Sequence, residues 1–190
     1  MADPGNSALI QPIFWTPQTD PATLPFTAGP SPAGDLSVRV DVLHAHAIVE
    51  HDAALIRLAL RGEPYDVALA DADDSRPLGA FVMFDELTLD RLIAIERLWH
   101  AMFGKRVPPD PRLTPQRRHR ARLMLRVFDA RVAGASYRKI AEQIFPNLKH
   151  DAATWDENAV RVTIARLVRD GMAHIRGGYR RLLRRPRRSR

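Results

Sequence analysis

Between residues 114 and 170 the apolar positions recur at intervals of three and four. Ala121, Met124, Leu125, Phe128 and Val132 form one stripe, Tyr137, Ile140, Ala141, Ile144 and Phe145 a second, and Val160, Ile164, Leu167 and Val168 a third. That spacing puts each set on one face of a helix, facing inward. Start and stop signals bound the stripes. Thr114 precedes Pro115, Ser136 follows Gly134 and Ala135, and Thr154 stands at capping-box distance from Glu157. Three helices are predicted, the last over 155–170. Roughly nine residues separate the second from the third, more than the three or four of a tight helix-turn-helix turn. Upstream, Leu89, Leu92, Ile93, Ile95, Leu98, Trp99, Met102 and Phe103 make a broad apolar surface on a helix over 86–103, which Gly104 ends. Such a surface joins two layers, here the strands and the next domain; an oligomer interface is the competing reading.

Before residue 86 the period shortens to two. LSVRVDVL alternates from Leu36 to Leu43, and AIVEH, ALIRLAL and PLGAFVMF are further short apolar runs. With Gly62 and Pro64 as breakers, these read as a small antiparallel meander, although ALIRLALRG also fits a short helix. Residues 1–34 carry Pro4, Pro12, Pro17, Pro21, Pro25, Pro30 and Pro32. That density excludes a helix and suggests an extended arm, mobile over its first residues. Within it, the run Ile13 to Trp15 suits docking on the folded body, or a short interaction motif. The predicted fold class is α+β: an arm over 1–34, a β-rich region with its packing helix over 36–110, a three-helix helix-turn-helix domain over 112–185, and a basic tail over 186–190. After Gly171, the segment MAHIRGGYRRLL fits either a hairpin wing around Gly177 and Gly178 or a short terminal helix.

Charge changes this picture more than composition does. The net charge of +7 hides a split: residues 1–111 hold 8 Lys+Arg against 16 Asp+Glu, and residues 112–190 hold 21 against 6. One half, at +15, is suited to a polyanion, and the other, at −8, is not. Of the 21 basic residues in the second half 19 are arginine, which favours bidentate contact with phosphates and guanine edges. The tail Arg184 to Arg190 is a charge block expected to order on meeting phosphate.

Other chemistries find little support. Without cysteine there is no disulfide framework, thiolate zinc site or thiolate nucleophile. His44, His46 and His51 lie close together, but no further ligand clusters with them, and polar-face histidines of a hairpin are the simpler reading. The run Asp71, Asp73 and Asp74 lacks the glycine and distal glutamate of a calcium loop. There is no glycine-rich phosphate loop and no nucleophile motif. His119, His150 and His174 lie in the basic half, where phosphate contact or exposure explains them. No cofactor, no metal and no enzymatic activity are expected. No apolar run approaches the ~18 residues of a membrane span, so a cytoplasmic, nucleoid-associated protein is expected.

The stretch LTPQRRHRARLMLRVFDARVAGASYRKIAEQIF, followed by Trp155 and NAVRVTIARLVRDGMAHIRGGYRRLL, resembles the RovC-like DNA-binding domain, a proteobacterial domain tied to transcription factors. DARVAGASYRKIAEQIF and RDGMAHIRGGYRRLL are its most specific pieces. The resemblance covers about residues 36–185 and is strongest from 112. Residues 136–167 are more loosely similar to the promoter-reading end of sigma factors, with the longer loop from Pro146 to Ala153 as a departure. The resemblance implies a transcriptional regulator that binds double-stranded DNA. The alternative it implies is a regulator, an anti-activator, that sequesters another transcription factor. In the DNA-binding reading Asn158, Arg161, Val162 and Ala165 meet base edges near the start of the third helix. Arg117, Arg118, Arg138, Lys139, Arg166, Arg169, Arg176 and Arg180 hold phosphates.

Overall fold

The computed structural model describes residues 12–29, 38–51, 54–70, 76–147, 155 and 159–186. The chain divides into two compact units, residues 1–109 and 110–190. The first is a five-stranded sheet with two helices and the second is helical, so the α+β class is observed.

In the first unit β1 is Leu24–Ala28, α1 Val40–His44, β2 Ala47–His51, β3 Leu55–Leu60, β4 Glu63–Ala70, β5 Leu78–Ala80 and α2 Thr88–Met102. The strand order is β2-β3-β4-β1-β5. β2, β3 and β4 form an antiparallel meander, but β1 runs parallel to β4, so the sheet is mixed rather than purely antiparallel. β3 is a strand and not a helix: Ile56, Leu58 and Leu60 alternate inward. A two-residue turn joins it to β4, with Arg61 at φ 55 and Gly62 at φ 77. Positive φ at both central residues matches the twist of a tight hairpin. Gly62 and Pro64 therefore reverse the chain rather than break it, and β4, absent from the sequence reading, begins at once.

Two other expectations change. The proline-rich opening is not an arm throughout, because β1 lies within it, with Leu24 and Phe26 buried in the sheet core. The Ile13–Trp15 run docks: Arg57 donates to the Ile13 carbonyl at 2.8 Å, and its guanidinium lies 4.7 Å from the Phe14 ring centroid. Arg57 also donates to both oxygens of Asp66, and this hydrogen bond, more than their mutual attraction, raises its pKa above the ordinary value despite partial burial. The end of LSVRVDVL is helical instead of extended. Val40 and Leu43, three apart, are both buried, whereas Val42 is exposed. That short alternation is overridden by a pair that buries well only at helical spacing. Residues 1–11, 30–37 and 71–75, and with them the first residues of the arm and the acidic run, lie outside the described residues.

α2 begins after a turn in which Asp85 accepts from the Leu87 backbone N–H at 2.7 Å. Arg91 is buried, donating to both oxygens of Asp85 and to the Met83 carbonyl. Leu98 and Ala101 join the sheet core, while Leu89, Leu92 and Trp99 stay exposed, so only part of the broad apolar surface packs inward.

The second unit contains α3, Pro115–Val132, α4, Tyr137–Ile144, α5, Ala159–Ile175, and a 3-10 helix, Gly178–Leu183. Thr114 Oγ1 accepts from the Arg117 N–H and Ser136 Oγ from the Lys139 N–H, both at 3.3 Å, as the caps implied. The core is Met124, Val127, Ile140, Ala141, Ile164, Leu167 and Val168. Leu125 and Val132, expected inward, are exposed, and Val127 takes the buried place. α5 does not stop at Asp170; it continues through Gly171, which lies against α3, where an added Cβ would stand 2.8 Å from the Met124 carbonyl oxygen. No hairpin wing follows. Gly177, at φ 110, ends the helix, and the short-helix alternative is the one adopted. The capping pair Thr154 and Glu157 lies outside the described residues.

Candidate nucleic-acid interface

Counted over residues 110–190, the helical unit holds 21 Lys+Arg against 7 Asp+Glu. Among the described residues, packing sorts most of these cations into two groups. The first is engaged within the chain. Arg117 donates through Nη1 to the carbonyls of Arg112 and of Arg184, the latter at 3.2 Å, and through Nη2 to that of Arg181 at 2.9 Å. It thereby ties the end of the 3-10 helix to the start of α3. A guanidinium is well placed there, because the last carbonyls of a helix lack partners within it. Arg120 and Arg169 converge on Asp170, at 2.8 and 3.3 Å. Arg131 donates to the Ala135 carbonyl at 3.2 Å and lies over the Tyr137 ring, bracing the turn between α3 and α4. Arg138 pairs with Glu142 one turn on, at 3.1 Å.

The second group is exposed. Arg118, Arg122 and Arg126 on α3, Lys139 on α4, Arg166 on α5, Arg176 just beyond its end, and Arg180 and Arg181 in the 3-10 helix have no side-chain partner among the described residues. On α5 the outward line is Val162, Arg166, Arg169 and Ala173, at helical spacing and opposite Ile164 and Gly171. Val162, 46% exposed, is an apolar side chain held in water on that face.

The proposed contact residues are therefore distributed unevenly. Val162, Arg166 and Arg169 share one face. Arg161 and Ala165 sit half-buried on its flank, and Arg161 is already engaged by the chain. Asn158 lies outside the described residues. Arg118 and Lys139 are exposed on α3 and α4, and Arg138 is partly neutralised by Glu142. Arg176 and Arg180 stand at the end of α5 and in the 3-10 helix instead of on a wing. Arg117 is turned inward, so its guanidinium is committed to carbonyl groups rather than offered to phosphate. Missing from the sequence-based set are Arg122 and Arg126, whose spacing from Arg118 in steps of four would have singled them out.

Among the described residues no three His, Asp or Glu side chains are grouped to hold a metal ion. His51 instead stacks on Phe14 at 5.9 Å. No helix among them is long and apolar enough to cross a membrane.

A family model described as "T6SS, Transcription factor, DNA binding domain" (RovC_DNA-bd) matches residues 78–184. The match takes in β5, α2 and all the helices of the second unit. It begins well after residue 36, where the resemblance was expected to start. No curated protein matches the chain, and no solved structure does.

Proposed function

The chain belongs to the RovC DNA-binding-domain family, and on that premise we propose that it is a duplex-DNA-binding regulator of transcription, not an enzyme, whose α3, α4 and α5 act as a helix-turn-helix. In this reading α5 enters the major groove. Val162 is an apolar contact for a thymine methyl, Arg161 in the first turn of α5 reads guanine, and Asn158, next before that helix in sequence, is the candidate reader of adenine. Ala165 leaves room for close approach. Arg138, Lys139, Arg166, Arg169, Arg176 and Arg180 supply the phosphate contacts to that duplex, Arg118 meets phosphate from the outer face of α3, turned away from it, and Arg117 is a structural clasp. Such a protein acts in the cytoplasm on the nucleoid.

One observation carries the reading: in the basic unit, α5 turns Val162, Arg166 and Arg169 outward together. Together they offer an apolar group for a thymine methyl and cations for the flanking phosphates on one helix face. The test is selection of bound sequences from a random duplex pool at physiological salt, with promoters of T6SS genes as the first natural duplexes, following the family description. A convergent motif is expected. Retention of duplexes without any enriched sequence would remove α5 as a reader of bases.

A second reading rests on α2, whose Leu89, Leu92 and Trp99 are exposed. Such a face suits capture of another regulator. Salt separates the two readings, since DNA affinity falls steeply with ionic strength and apolar capture does not.

A further inference from the structure

α3 carries a row of cations on the side it turns away from the core. Arg118, Arg122 and Arg126 recur every four residues, all exposed and without a partner among the described residues. The arginines on the inner side of the same helix behave differently: Arg117, Arg120 and Arg131 each hold a carbonyl or a carboxylate. Like charges at this spacing weaken a helix, and the core does not require them. A ligand outside the unit would account for them. Its chemistry follows from the spacing. Four helical residues rise about 6 Å, which sets the guanidinium groups in a line suited to the regularly stepped phosphates of a nucleic-acid strand. Asp129, at the far end of the same face, is the one acidic residue in α3.

The position of this row relative to α5 matters more. Where α3 and α5 touch, Gly171 meets the Met124 carbonyl and Phe128. Arg122 is two residues from Met124, about 160° round α3, and Val162 is nine residues from Gly171, about 180° round α5. The two outward faces therefore lie on opposite sides of the packed pair. A straight duplex seated on α5 leaves the arginine row of α3 facing away from it.

We infer that the α3 face binds the backbone of a second duplex segment, so that one copy of the chain bridges two stretches of DNA. This rests on α5 holding the first. The contact is to phosphates alone and carries no sequence preference.

The experiment uses the full chain with a selected duplex tethered to beads and a labelled duplex of unrelated sequence in solution. Wild-type protein is expected to recover the labelled duplex on the beads. The triple variant R118Q/R122Q/R126Q is expected to recover about tenfold less or lower, because three phosphate contacts are removed, while still binding the tethered duplex. The variant R118K/R122K/R126K, which keeps the charge, should bridge like wild type, and it separates loss of charge from loss of fold. Undiminished bridging by the glutamine variant overturns the inference, since the two duplexes would then be held by α5 faces of associated copies. A wild-type protein that binds one duplex but recovers no second also overturns it, and salt-sensitive self-association in that case assigns the row to the acidic unit of another copy. Failure to bind the tethered duplex at all defeats the DNA-binding reading itself, and bridging with it.

Discussion

Replacing Arg117 with alanine separates the phosphate role expected from sequence from the role that its packing gives it. If the residue held phosphate, its loss would lower the dependence of log affinity on log salt by about 0.9 and leave the fold alone. The structure assigns it elsewhere. Its guanidinium donates to the carbonyls of Arg181 and Arg184, at 2.9 and 3.2 Å, and to that of Arg112. Hydrogen bonds from a charged donor contribute about 1.5–3 kcal/mol each when well shielded. Here the site is half-exposed, and water replaces part of what is lost, so about 1 kcal/mol for each of the two long-range bonds is reasonable. The clasp on the 3-10 helix then contributes about 2 kcal/mol, or about thirtyfold in its opening equilibrium. Native-state hydrogen exchange reads this directly. In Arg117→Ala the amides of Gly178–Leu183 should exchange about thirtyfold faster, with those of the α4 and α5 core little changed. The salt dependence of DNA binding should fall by much less than one unit. Unchanged exchange in that segment, together with a loss of about one unit of salt slope, would refute the clasp and restore the phosphate assignment.

Three substitutions test the packing and the orientation of α5. Gly171→Ala places a Cβ 2.8 Å from the Met124 carbonyl oxygen and 3.2 Å from the Phe128 Cβ; the clash outweighs the improved helix propensity, and urea unfolding should show a loss of about 1–3 kcal/mol, whereas equal or greater stability would mean that the helices are not in contact there. Arg161→Ala should weaken binding by about 1–3 kcal/mol at one base position of the selected motif if the residue leaves its flank to read a base, while Arg169→Ala should weaken all duplexes alike; competition between motif and scrambled duplexes tests both, and a uniform loss for Arg161→Ala would place that residue on the backbone.

Local signals were legible in the sequence wherever the physics is local. Thr114 before Pro115, Ser136 after Gly134, and the helical spacing that announces α2, α3 and α4 act within a turn or two of chain, and each cap and helix is present, whereas the side chains that α3 buries, Val127 rather than Leu125 and Val132, are decided by packing. The charge division is also a property of the sequence, since it depends only on which residues are present. Other features are decided by groups distant in the chain. β1 pairs in parallel with β4, with Leu24 opposite Val67, and nothing near Leu24 announces that partner. Val40 to His44 alternates like a strand but buries Val40 and Leu43 as a helix. The fate of each arginine is likewise tertiary. Arg117 and Arg118 are neighbours with one chemistry, yet Arg117 meets carbonyls more than 60 residues away while Arg118 faces solvent. Helical period specifies which direction a side chain leaves its own helix; only the packing of the other elements determines whether it finds a partner there or water.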